Sequence, residues 1–76
     1  METLGKRISE NRKAKNIKQE ELAEMLLVSP QAVSKWENNI SCPDISLLPK
    51  LSEILGISVD ELLSGKKEPE TKFVPV

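Results

Sequence analysis

Residues 29–38, SPQAVSKWEN, hold the side chains best suited to chemistry in this 76-residue chain. Ser29 can cap a helix, its hydroxyl accepting a hydrogen bond from a backbone N–H that the first turn leaves unpaired. Pro30 falls at the first helical position, where its missing N–H costs nothing. At about 100° per residue, Ala32, Val33 and Trp36 share one arc, while Pro30, Gln31, Ser34, Lys35 and Asn38 share the other. The second arc is a row of amides, a hydroxyl and an ammonium, groups that hydrogen-bond to base edges and phosphates. Bond-making chemistry is poorly supplied. The chain has no His and one Cys, which removes His-based catalysis, a zinc-finger ligand set and an internal disulfide. With no glycine-rich phosphate loop either, neither cofactor nor metal is expected, and an enzyme has no residues to rest on. Taken alone, the polar arc suits an ordinary solvated helix face better than a binding face.

The stretch just before it narrows the choice. Gln19–Leu26 reads as a second amphipathic helix, with Leu22, Ala23, Met25 and Leu26 on one side and Glu20, Glu21 and Glu24 opposite. Only about three residues separate the two helices, too few for a comfortable antiparallel pair. They must cross steeply as a helix-turn-helix, and small Ala23 lets them approach. Val28 is expected beneath the turn beside Val33 and Trp36. For Trp36, the inner arc makes core packing a better reading than base stacking.

QEELAEMLLVSPQAVSKWENN, preceded by GKRISENRKAKNIK and followed by ISCPDISLLPKLSEILGISVDELL, resembles the Cro/C1-type helix-turn-helix family of lambda-repressor-like DNA-binding domains. The resemblance runs over residues 4–63, with its pieces in order and at family spacing. It implies an all-α fold, a bundle of five short helices whose third enters the DNA major groove. It also assigns base-edge positions to Pro30, Gln31 and Lys35, with Ser34 close by. A Gln amide can pair with adenine and a Lys ammonium with guanine, whereas Pro30 offers only apolar contact, for instance to a thymine methyl. Gln19 takes the family's role of binding a phosphate and bracing the recognition helix. Ser29, Asn38, Arg12 and Lys18 complete the candidate phosphate ligands.

The first helix is expected over residues 4–15 from an N-cap at Thr3. Leu4 and Ile8 face inward, and Arg12 continues their stripe where an aliphatic residue would be usual. Glu37, at the margin of the third helix's apolar arc, is the obvious partner, and the family resemblance also implies an Arg–Glu pair there. The competing reading is two solvated charges. Four positions depart from the family pattern. Asn16 and Asn39 stand at helix ends where the family prefers Gly, and Asn tolerates the left-handed conformation needed. Leu27 stands at a turn glycine's place and would be strained there. Lys18 replaces a Ser or Thr N-cap, so the second helix should start loosely.

After a loop holding Cys42, Pro43 and Asp44, a fourth helix is expected over residues 46–55, with Pro49 in its first turn and Gly56 as its stop. Leu47, Leu48, Leu51, Ile54 and Leu55 should close the core. Ser58-Val-Asp-Glu61 reads as a capping box for a fifth helix, with Ile57 stapling against Leu62. Residues 1–64 therefore form the expected domain, and residues 65–76, GKKEPETKFVPV, read as a flexible tail. Its apolar end, residues 73–76, can dock on a protein partner or add to a dimer interface.

The net charge of −1 speaks against nucleic acid, but its distribution speaks for it. Lys6, Arg7, Arg12, Lys13, Lys15 and Lys18 crowd the first quarter, and a locally positive end can bind phosphate. The N-terminus has no apolar run, so neither a signal peptide nor a membrane span is expected, and the location is read as cytoplasmic. The expected function is a sequence-specific regulator of transcription, most simply a repressor on a palindromic operator. A homodimer is expected because one such helix spans only a few base pairs, with Leu62 and Leu63 of the fifth helix as its candidate interface. The competing readings are a protein-interaction adaptor on the same fold and an antitoxin.

Overall fold

The order of local signals sets the order of helices in the computed structural model, which describes residues 3–64; the expectations for residues 65–76 lie outside the described residues. Among the described residues are five α-helices: α1 Leu4–Ala14, α2 Gln19–Leu26, α3 Pro30–Glu37, α4 Leu48–Leu55 and α5 Val59–Ser64. Each start has an identifiable cause. The Thr3 hydroxyl accepts from the Lys6 N–H at 3.1 Å, the Ser29 hydroxyl from Ala32 at 3.1 Å and the Ser58 hydroxyl from Glu61 at 2.9 Å. Lys18 cannot accept in this way. Instead, its backbone N–H donates to the Glu21 carboxylate at 2.9 Å, which is half of a capping box.

Four helices share one ending. A residue with positive φ is followed by an aliphatic residue whose N–H reaches back to the carbonyl five positions earlier: Ile17 to Arg12, Val28 to Ala23, Ile40 to Lys35 and Ile57 to Ser52, at 2.9–3.1 Å. The left-handed residues are Asn16, Leu27, Asn39 and Gly56, with φ of 58°, 60°, 60° and 74°. Leu27 is the outlier. Its Cβ crowds the following carbonyl in this conformation, at about 1–2 kcal/mol, and its side chain is 91% exposed. The strain expected at this position is present, and the turn closes regardless.

The core is continuous through Ile8, Leu22, Ala23, Leu26, Val33, Trp36, Leu48, Leu51, Leu55 and Leu62, with Leu4, Ile17, Ala32, Leu47, Ile54, Ile57 and Val59 at its edge. Fully burying aliphatic side chains of this size stabilises a fold by roughly 1.5–3 kcal/mol each, the largest favourable term available to so small a domain. Two inward expectations need correction. Met25 is 41% exposed, because α2 presents a narrow apolar stripe whose centre Leu22, Ala23 and Leu26 already fill. Val28 is half-buried rather than buried, packed against the edge of the core. The fourth helix also begins later than expected. Pro49 has no N–H for the Ile45 carbonyl, which instead accepts from Leu48 in a single 3-10 turn, Ile45–Leu47. Asp44 caps that turn. Its carboxylate accepts from the Ser46 hydroxyl and the Ser46 N–H, which hold its pKa below the ordinary value.

Two residues of α1 do structural work that composition hides. Gly5 sits where a Cβ would lie 2.2 Å from the Trp36 carbonyl oxygen and 2.6 Å from the Asn39 amide oxygen. Only glycine lets α1 cross the end of α3 this closely. Arg7, counted among the basic residues of the first quarter, is buried. Its Nε and Nη2 donate to the carbonyls of Leu62 and Leu63, both at 2.7 Å, closing α5 onto α1.

Candidate nucleic-acid interface

The outward arc of α3 is built from beneath. Val33 is fully buried and Trp36 is 5% exposed, so this face of the helix is pinned to the core. Trp36 is therefore a packing residue, as its arc indicated. The opposite face carries Pro30, Gln31, Lys35 and Asn38 exposed, with Ser34 half-buried between them. Ser29 spends its acceptor on the Ala32 N–H, leaving its own proton free to donate outward. Asn38 folds back along the helix: its Nδ2 donates to the Ser34 carbonyl at 2.8 Å and approaches the Ser34 hydroxyl at 3.4 Å. This holds the Asn38 amide in one orientation beside Ser34. Lys18 is exposed at the start of α2.

The bearing of α3 is fixed by one carboxylate. Arg12 Nε donates to Glu37 Oε2 at 2.7 Å and Arg12 Nη2 to Glu37 Oε1 at 3.0 Å, a two-point pair that sets both position and plane. Arg12 Nη1 donates to the Ile17 carbonyl at 2.7 Å. Gln19 Nε2 adds a third donor to the Glu37 carboxylate, reaching Oε1 at 2.9 Å. One acidic side chain on α3 is thus held by α1 and α2 together. Among the described residues, no buried side-chain nitrogen or oxygen lacks a partner, so the network carries no unpaired desolvation cost.

This geometry decides between the two roles expected of Arg12. The ion pair is present; the phosphate role is corrected, because all three guanidinium nitrogens face Glu37 or Ile17 and the residue is 8% exposed. Burial of Arg7 and Arg12 also thins the basic quarter. Lys6, Lys13, Lys15 and Lys18 remain exposed there, and Lys15 lies over Gly56, where the carbonyl end of α4 favours a cation. Gln19 is half-buried and keeps one amide proton beyond its bond to Glu37, enough to brace α3 and still offer a donor outward. Leu62 is also corrected as part of a dimer face: it is fully buried, whereas Leu63 is 49% exposed.

A model of the helix-turn-helix family matches residues 8–62, a span that takes in the Arg12–Glu37–Gln19 network and the whole outward arc. Among sequence relatives, the HTH-type transcriptional activator BcrR of Enterococcus faecalis is 40% identical over 64 residues, covering 84% of this chain and 31% of that protein. The HTH-type transcriptional regulator SinR of Bacillus subtilis (strain 168) is 40% identical over 68 residues, covering 88% of this chain and 61% of SinR. The chain thus spans about a third to three fifths of these curated relatives. Among solved structures, the P22 c2 repressor protein in complex with a synthetic operator superposes with a TM-score of 0.82 at 38% identity, covering 87% of this chain and 100% of that one. SinR in complex with DNA gives 0.71 at 38% identity, covering 79% and 97%. The chain belongs to the helix-turn-helix family, and its five helices take the lambda-repressor-like arrangement.

Proposed function

We propose that this chain is the sequence-specific DNA-binding domain of a transcriptional regulator, with α3 as its reading helix. The observation that carries the reading is the polar outward arc of α3, anchored on its far side by Val33 and Trp36 and oriented by Arg12 and Gln19 through Glu37. A reader of bases needs side chains presented at a fixed angle, and that is what this network supplies. That the P22 c2 repressor and SinR were each solved with DNA supports the same reading.

In this reading Gln31 and Lys35, one helical turn apart, read base edges, with Ser34 between them and Pro30 offering apolar contact. Gln19, Ser29, Asn38 and Lys18 hold phosphates and set register. No described helix is long and apolar enough to cross a membrane, and the proposed action is in the cytoplasm. The simplest regulatory output is repression by a homodimer on a palindromic operator, its half-sites about one helical turn apart. Leu63 is the part of the fifth helix still available for such an interface.

Selection from a random duplex library tests this, comparing the wild type with a Gln31→Ala/Lys35→Ala variant. The wild type should enrich a palindromic site, and the variant should lose preference at particular bases, at about 1–3 kcal/mol per lost base contact. Replacing Gln19 or Lys18 should instead weaken all sites alike, and losing the Lys18 charge should also flatten the salt dependence. No enrichment by a folded wild-type protein would overturn the reading and favour a protein-binding adaptor. Uniform weakening by both kinds of variant would overturn the base-contact assignment alone.

A further inference from the structure

The start of α3 presents carbon where a helix that reads bases usually presents polar groups. Pro30, its first residue, is exposed and has no N–H. The Ala32 N–H is taken by the Ser29 hydroxyl at 3.1 Å, so of residues 30–32 only Gln31 keeps an N–H for a ligand. On the side of α2, Pro30 lines a shallow groove with Ala23, Val28, Glu20 and Glu24. The two carboxylates repel phosphate. This end of the helix is therefore poorly suited to the DNA backbone, and what it offers instead is the apolar ring of Pro30.

A reading helix of this kind meets the base edges of the major groove with its N-terminal residues. The ordinary base pairs present a single apolar group there, the C5-methyl of thymine. Cytosine methylated at C5 carries the same methyl at the same place on its ring. The two bases differ at C4, where thymine has an oxygen acceptor and cytosine an amino donor. A side chain able to hydrogen-bond would sense that difference. Proline has no side-chain polar atom with which to do so, and its ring, tied back to the backbone nitrogen, cannot swing away from the contact.

We infer that Pro30 makes this chain a reader of pyrimidine C5-methyl groups, accepting 5-methylcytosine as well as thymine at one position of the half-site. The inference rests on the proposal that α3 reads DNA, and adds to it a dependence on cytosine methylation. Gln31 and Lys35 read neighbouring bases by hydrogen bonds, whereas the methyl is read by its burial against the ring. Methylation of a cytosine at that position strengthens binding. Without the methyl, the ring faces a bare C5–H edge and gains little.

The test uses the full chain and the duplex site that it enriches from a random library. Each pyrimidine of one half-site is replaced in turn by thymine, deoxyuridine (which lacks only the methyl), cytosine and 5-methylcytosine. At one position, thymine should bind about fourfold more tightly than deoxyuridine, and 5-methylcytosine about fourfold more tightly than cytosine, the factor for burying one methyl-sized group at about 0.8 kcal/mol. Both preferences should disappear in Pro30→Ser. Each is a ratio measured within one protein, so a loss of folded Pro30→Ser cannot imitate the result. A wild type indifferent to the methyl of either base at every position overturns the inference, as does a Pro30→Ser variant that keeps both preferences. A preference for thymine over deoxyuridine with none for 5-methylcytosine over cytosine also overturns it, because C4 is then being sensed. In all three cases the enriched site leaves the DNA-reading proposal standing, whereas no enriched site from the folded protein overturns both.

Discussion

Helix α1 holds two neighbours with the same kind of side chain and two different kinds of acceptor. Toward α3, Arg12 meets a side-chain carboxylate, Glu37, at two points. Toward α5, Arg7 meets main-chain carbonyls, those of Leu62 and Leu63. A carboxylate at position 37 must be encoded, whereas a carbonyl comes with any residue. The first junction therefore specifies which face of α3 turns outward, and the second only requires that the chain end a helix there. The last carbonyls of a helix lack intrahelical donors and carry its negative dipole end, so a guanidinium is well matched to α5. The helix proposed to read DNA is fixed by an encoded side-chain partner, and the closing helix is held by carbonyls that any residue supplies.

The largest effect should come from breaking the specified junction. Glu37→Ala strands the Arg12 guanidinium in a buried site, and removing one partner of such a pair costs about 3–5 kcal/mol. Urea unfolding at low temperature should show a loss of that size. The Arg12→Met/Glu37→Leu double variant should recover most of it, since burying two apolar groups avoids the stranded charge. Additive, sub-kilocalorie losses in the corresponding double-mutant cycle would mean that the two groups are effectively solvated, and the contrast between the junctions would collapse.

Arg7→Met should cost somewhat less, about 2–4 kcal/mol, from two lost charge-assisted hydrogen bonds. Its signature should be local. Amide exchange should accelerate in α5 before α3, whereas Glu37→Ala should loosen α3 first. Equal acceleration in both helices would show that the two junctions are a single cooperative unit.

The two arginines also show what was legible before any coordinates. Arg12 broke an apolar stripe begun by Leu4 and Ile8, and a complementary charge stood at Glu37, so residue types alone suggested the pair. Arg7 left no such trace: the Leu62 and Leu63 acceptors described for it are backbone oxygens, which no residue type reveals, and it read as one more cation for phosphate. The helix stops at Asn16, Asn39 and Gly56 and the cap at Ser58 were legible because they rest on local conformational preferences. Gly5 was not, because what it must avoid is a carbonyl on a helix 31 residues away in sequence. Gly5→Ala tests that reading. The added Cβ must push α1 off the end of α3, at about 1–3 kcal/mol for overpacking, read by thermal unfolding. A variant as stable as the wild type would mean that the specified junction can slide, contrary to the two-point Arg12–Glu37 geometry.

The smallest effect is expected at Gln19, and it bears most directly on function. Its amide donates one proton to Glu37 at 2.9 Å, and Gln19→Ala removes that bond while leaving Arg12 and Glu37 paired. One net hydrogen bond is worth about 0.5–1.5 kcal/mol, so stability should fall only slightly. If the other amide proton also binds a phosphate, affinity for every duplex should fall together, with sequence preference unchanged. A loss of affinity without a loss of stability would make Gln19 a phosphate ligand that braces nothing. Matching small losses of both would tie the outer surface to the buried carboxylate through a single side chain. The described contacts of Arg7 provide no such link to the reading face, which is the sense in which the α1–α3 junction is built for recognition and the α1–α5 junction for closure.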